Sequence, residues 1–115
     1  MEENKKIVEP FKKYKVLYLI KSDKNVNLTY ILDRIRGIKN VIIANTVQND
    51  RLEDISSRNE NYEFHLLKIK FITNLSASER AEEIKDIIMK GEDGEGKIKG
   101  VALVKTKIDT LEKTT

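Results

Sequence analysis

"IRGIKNV" at residues 35–41 and "IKGVALV" at 98–104 share one pattern: Ile, a basic residue, Gly, a β-branched residue, two further positions, then Val. The repeat is read as two hand-overs from a helix to the strand that follows. In each copy the Gly supplies the backbone freedom a chain reversal needs, and the β-branched residue and Val open the strand. The chain is then expected to consist of two β-α-β units.

The segments around the two phrases fit that expectation. "YKVLYLIK" (14–21) is apolar at nearly every central position and rich in β-branched and aromatic residues, as a central strand is. Leu28, Ile31, Leu32 and Ile35 fall at i, i+3, i+4 and i+7, which predicts a helix over about 27–36, with Gly37 as a left-handed cap. "NVIIANTV" (40–47) reads as the second strand. The polar stretch 48–61 reads as a long mobile or functional loop, with Leu52 and Ile55 its only apolar anchors. In "NYEFHLLKIKFIT" (61–73), Leu67, Ile69 and Phe71 alternate with Lys68 and Lys70, predicting a third strand with one dry and one wet face. Ser76 and Glu79 have capping-box spacing, and Ala81, Ile84, Ile87 and Ile88 form the stripe of a second helix ending near Gly91. "IKGVALVKT" (98–106) is the fourth strand.

The order β-α-β-β-α-β predicts an α+β domain: a four-stranded antiparallel sheet in the order 4-1-3-2 with two helices on one face. The expected boundaries are a charged arm at 1–11, the domain at 12–108 and a polar tail at 109–115. A chain of 115 residues suffices for one core, and its 39% hydrophobic and 36% charged residues fit neither a disordered chain nor a membrane protein. No apolar run reaches membrane-spanning length, and "MEENKKIVEP" lacks the apolar middle of a signal peptide, so a cytoplasmic location is expected. The absence of Cys excludes disulfides and thiolate chemistry.

The candidate chemistry is sparse. "GEDGEGKI" (91–98) has the G-x-x-x-x-G-K spacing of a phosphate loop, but Ile98 replaces the hydroxyl residue and Glu92, Asp93 and Glu95 repel a polyphosphate. The same acids lack the spacing of a calcium loop. His65 is the single histidine, with no second His or any Cys to complete a metal or catalytic set. Asn27 and Ser76, within "NLT" and "NLS", read as helix caps. No catalytic, cofactor or metal residue is assigned, and the chain is read as a non-enzyme.

The frame and the Ile-x-Gly-Val-like phrase resemble the ferredoxin-like fold, in particular small ACT-like domains, over about residues 14–106. The "LDRIRGIKNV" stretch (32–41) and the Lys/Ile/Asn-rich composition also resemble small uncharacterised proteins of marine tailed phages. That second resemblance implies a phage or environmental origin, with the host cytoplasm as the location. The ACT-like resemblance implies a regulatory domain binding a small molecule near "KSDKNVN" (21–27), although this loop lacks the Gly such domains commonly use.

Three functions are weighed. The first is an interaction or assembly module that self-associates through its sheet, as a dimer or within a larger assembly. The second is the ACT-like regulatory domain. The third is RNA or single-stranded DNA binding on the open face, where Tyr62, Phe64, Lys68 and Lys70 share a parity; a net charge of +3 and the missing RNP1-like run disfavour it. For strand one, the parity of Tyr14, Val16, Tyr18 and Ile20 is assigned to the open face, because tyrosine hydroxyls reach water at a rim. With Tyr62, Phe64, Lys68 and Lys70, these residues form the expected interface.

Overall fold

The computed structural model describes residues 11–90 and 96–108. The expected arm apart from Phe11, the expected tail, the end of the second expected helix near Gly91 and most of the Gly-rich loop lie outside them. Four strands and three helices follow in the order β1 (Lys12–Asp23), α1 (Leu28–Arg36), β2 (Val41–Val47), α2 (Asp50–Arg58), β3 (Tyr62–Thr73), α3 (Ala77–Lys90) and β4 (Ile98–Ile108). They form one open antiparallel sheet in the order β2-β3-β1-β4, the expected order read from its other end.

β1 is central and carries the core. It pairs with β3 through Val16 opposite Ile69 and Tyr18 opposite Leu67, and with β4 on its other side. Burial alternates along β1 from Val16 onward and along β3 from Leu67 onward, as the period-two side-chain pattern requires. Val16, Tyr18, Ile20, Leu67, Ile69 and Phe71 are fully buried, packed in one cluster with Ile31, Leu32 and Ile35 of α1 and Ala81, Ile84 and Ile88 of α3. Each such side chain contributes about 1.5–3 kcal/mol by leaving water. Both amphipathic helices therefore cover the same face of the sheet. The other face has no helix among the described residues packed into this core.

This corrects the expected outer row. Val16, Tyr18 and Ile20 are core residues, and Tyr14 shares their parity, with its ring 5.9 Å from that of Phe71. A tyrosine tolerates the interior when its hydroxyl is satisfied. Tyr18 Oη donates to the Ala81 carbonyl of α3 at 2.6 Å. Burial, and secondarily the carboxylate of Glu82, push that hydroxyl well above the ordinary tyrosine range, so the donor keeps its proton.

The stretch 48–61 is not a loop throughout but contains α2. Asn49 caps it, its Oδ1 accepting from the Leu52 amide at 3.0 Å; Asp50 and Glu53 occupy the first turn, and Asp54 pairs with Arg58 at 3.1 Å. None of its residues is fully buried. It docks where β2 has ended and β3 would otherwise show a bare edge: Phe64 donates its amide to Ser56 Oγ at 2.8 Å. Lys24 Nζ reaches the Ser56 carbonyl at 2.6 Å, tying the helix to the loop after β1. Sheet edges are commonly blunted by such a cover.

The repeated phrase also plays two different parts. In the first copy Gly37 caps α1 at φ −80°, an ordinary right-handed conformation; the left-handed residue is Asn40 at φ 72°, just before β2. Its side chain suits it to that region, and its carbonyl accepts from the Ile72 amide at 2.9 Å. The second copy lies wholly within β4, and the left-handed glycine there is Gly96, at φ 74°. Only the first copy is a helix-to-strand hand-over.

The expected helix start at 27 becomes an N-cap, Asn27 Oδ1 accepting from the Tyr30 amide at 3.2 Å. Ser76 Oγ likewise accepts from the Glu79 amide at 3.1 Å. An added Cβ at Gly37 would have the Arg34 carbonyl oxygen, 3.4 Å away, as its nearest neighbour. Gly37→Ala should leave the urea midpoint nearly unchanged, whereas Asn40→Val should cost about 1–2 kcal/mol through left-handed strain.

Candidate functional site

The helix-free face of the sheet is the site that the register assembles. Residues directly opposite one another in antiparallel strands share a face. Lys15 stands opposite Lys70 of β3 on one side and Lys107 of β4 on the other; Leu17 stands likewise between Lys68 and Lys105. Lys13 continues the same parity of β1. Three of the Lys-x-Lys doublets in the sequence, at 13–15, 68–70 and 105–107, are thus laid side by side by the fold.

Leu17 and Leu66 are half-buried, as are Lys15 and Lys68, while Lys105 and Lys107 are exposed. A shallow depression of about 190 Å³ is lined by Lys15, Leu17, Val47, Leu66, Lys68, Lys105 and Lys107. Its floor is apolar and its charges are all positive, with no carboxylate in the lining. Lysine stems cover apolar surface while their ammonium groups stay wet, which reconciles this face with solvent. Lys13 and Lys70 have contacts of their own. Lys15, Lys68, Lys105 and Lys107 pair with no carboxylate among the described residues.

Farther along the face stand Tyr62 and Phe64, both half-buried, with Lys21 Nζ 4.3 Å from the centre of the Tyr62 ring. Of the expected interface, Tyr62, Phe64, Lys68 and Lys70 thus share this face, whereas Tyr14, Val16, Tyr18 and Ile20 belong to the opposite one. Lys13, Lys15, Lys105, Lys107 and the leucines were not anticipated. Their signal was the three doublets at period two, whose alignment depends on strand register.

Elsewhere the polar groups serve the fold. His65 lies on the helix-covered face, its Nε2 3.2 Å from Glu63 Oε1; Glu63 Oε2 also accepts from the Asn25 amide at 3.3 Å. A cavity of about 450 Å³ beside His65 is lined by residues of β2, α2, β3 and the β2–α2 turn together with Leu28. No group of three or more His, Asp or Glu side chains able to hold a metal occurs among the described residues, and none of the described helices is long and apolar enough to cross a membrane. Comparison with known proteins gives no match: no family model, curated protein or solved structure is significantly similar to the chain.

Like charges directly opposite in a sheet are destabilising, by amounts within the range of about 0.2–1 kcal/mol assigned to cross-strand pairs. Lys15, flanked on both sides, bears this cost twice. Lys15→Thr should raise the urea-unfolding free energy by about that amount in low salt, and the gain should shrink as salt screens the row.

Proposed function

We propose that this chain is a non-enzymatic interaction module whose working surface is the helix-free face of its sheet, with an anionic partner. The single observation that carries this reading is the row Lys70–Lys15–Lys107, reinforced by Lys68 and Lys105 around Leu17. An arrangement that costs stability in the free protein, at positions where Thr or Ser would serve the sheet better, is expected where function requires it. The frame is ferredoxin-like in this proposal, a β-α-β-β-α-β order with α2 inserted between its second and third strands.

Self-association is the second reading, and a different observation favours it. β4 is an edge strand, and Leu103, Val104 and Ile108 along it are 39%, 56% and 59% exposed. Pairing through this edge would cover them, whereas face-to-face packing would set lysine rows against lysine rows. The ACT-like reading draws less support: in the 21–27 loop, Lys24 is engaged by Ser56, the Asn25 amide by Glu63 and Asn27 by Tyr30.

Retention on dextran sulfate tests the first reading. The chain should elute at higher salt than a protein of net charge +3 without a basic face, and Lys15→Gln/Lys105→Gln should elute much earlier than Lys39→Gln/Lys99→Gln, which removes the same charge elsewhere. Equal shifts for the two double variants would sink it. Light scattering at high salt addresses the second reading: a dimer that persists there and is lost in Val104→Lys supports edge pairing.

A further inference from the structure

Resting on the anionic-partner reading, we propose that the ligand of this face is single-stranded nucleic acid, held by its phosphates on the lysine rows and by its bases on the apolar floor and on Tyr62 and Phe64.

The lining of the depression decides between anionic partners. Its charged groups are Lys15, Lys68, Lys105 and Lys107, and between them lie only Leu17, Leu66 and Val47. Such a surface offers donors and apolar contact but no side-chain acceptor. A phosphodiester chain fits, because its backbone presents acceptors and no donors. An acidic peptide fits less well, since its backbone amides would lie over a sheet face whose own carbonyls are spent on neighbouring strands.

Geometry points the same way. Alternate residues of a strand are about 6.7 Å apart, so each Lys-x-Lys doublet sets out charges in extended stride, and adjacent strands repeat them about 4.8 Å to the side. From Lys70 to Tyr62 along β3 is about 27 Å on the same rise, room for a short oligonucleotide at the small end of single-strand site sizes. At the far end Lys21 lies over Tyr62, a half-buried ring that supplies the aromatic surface for stacking in this proposal. A duplex offers no splayed base to the floor or the ring. The lining of the depression offers no side-chain acceptor for a 2′-hydroxyl, and Asn45 Oδ1 already accepts from Arg36 Nη2 at 3.0 Å. The site should therefore bind ribo- and deoxyribo-oligonucleotides alike.

Fluorescence anisotropy with labelled (dT)12 tests this on the full chain. Saturable binding is expected, with log K falling against log salt at a slope of about −2 to −3, the value for three or four phosphate contacts by a single strand. Lys68→Gln/Lys105→Gln should weaken binding at least tenfold, and Tyr62→Ala about five- to tenfold through lost stacking, with the folded state of each checked by circular dichroism. (U)12 should bind within a few-fold of (dT)12, and the duplex of the same length at least tenfold more weakly. Equal binding of duplex, polyglutamate or anionic phospholipid vesicles, or indifference to Tyr62→Ala, would overturn the single-strand assignment while leaving the anionic-partner reading in place. Binding of none of these ligands, with no retention on dextran sulfate, would end both.

Discussion

The packing of β1 under both core helices is the constraint on which the rest of the structure depends. Val16, Tyr18 and Ile20 are fully buried beneath α1 and α3, and the Tyr18 hydroxyl bonds the Ala81 carbonyl within that interface. Once this parity is committed to the core, the alternation of the strand sends Lys13, Lys15, Leu17, Leu19 and Lys21 to the other side. The partner strands are bound by the same register, so Lys68, Lys70, Lys105 and Lys107 follow. The lysine face is thus the necessary reverse of the core.

What the reverse face carries is not dictated by packing. A solvated sheet face is served well by Thr, Ser or mixed charges, and cross-strand pairs of opposite sign would add stability. Here lysine opposes lysine on both sides of β1, with carboxylates absent from the depression between them. The helical side is arranged differently: Arg36 bonds the Ala44 carbonyl and Asp33, and Arg58 pairs with Asp54. Local consistency therefore holds on the covered side and is given up on the open one, the pattern expected where a surface is shaped by a ligand. β4 also carries register shifts near Tyr18 and Ser22 and several lysines, devices that discourage uncontrolled edge pairing.

The strands and two of the helices were legible because their signals are local. Leu67, Ile69 and Phe71 against Lys68 and Lys70 announced β3, and Leu28, Ile31, Leu32 and Ile35 announced α1. α2 escaped because Leu52 and Ile55 alone make too short a stripe, although Asn49, Asp50 and Arg58 carry the cap and charge signals of a helix. The face of β1 was read backwards because both parities are apolar; a buried hydroxyl finding a helix carbonyl 63 positions away leaves no local trace. Tyr62, Phe64, Lys68 and Lys70 share one face for a local reason, the alternation within β3. The rest of the site depends on strand register, which brings Lys15 and Lys107 together from opposite ends of the sequence.

The chain contains no cysteine, so a single introduced thiol reports its own position without background. Lys15→Cys and Val16→Cys place it on successive residues of β1, on opposite faces, and Val→Cys changes core volume little. Labelling by a maleimide in native buffer tests the account most directly. The thiol at position 15 should react within a few-fold of a free peptide thiol, and the thiol at position 16 should react orders of magnitude more slowly, at a rate that rises with urea in step with global unfolding. Fast labelling at position 16 with protection at position 15 would place the helices on the lysine face and contradict the account.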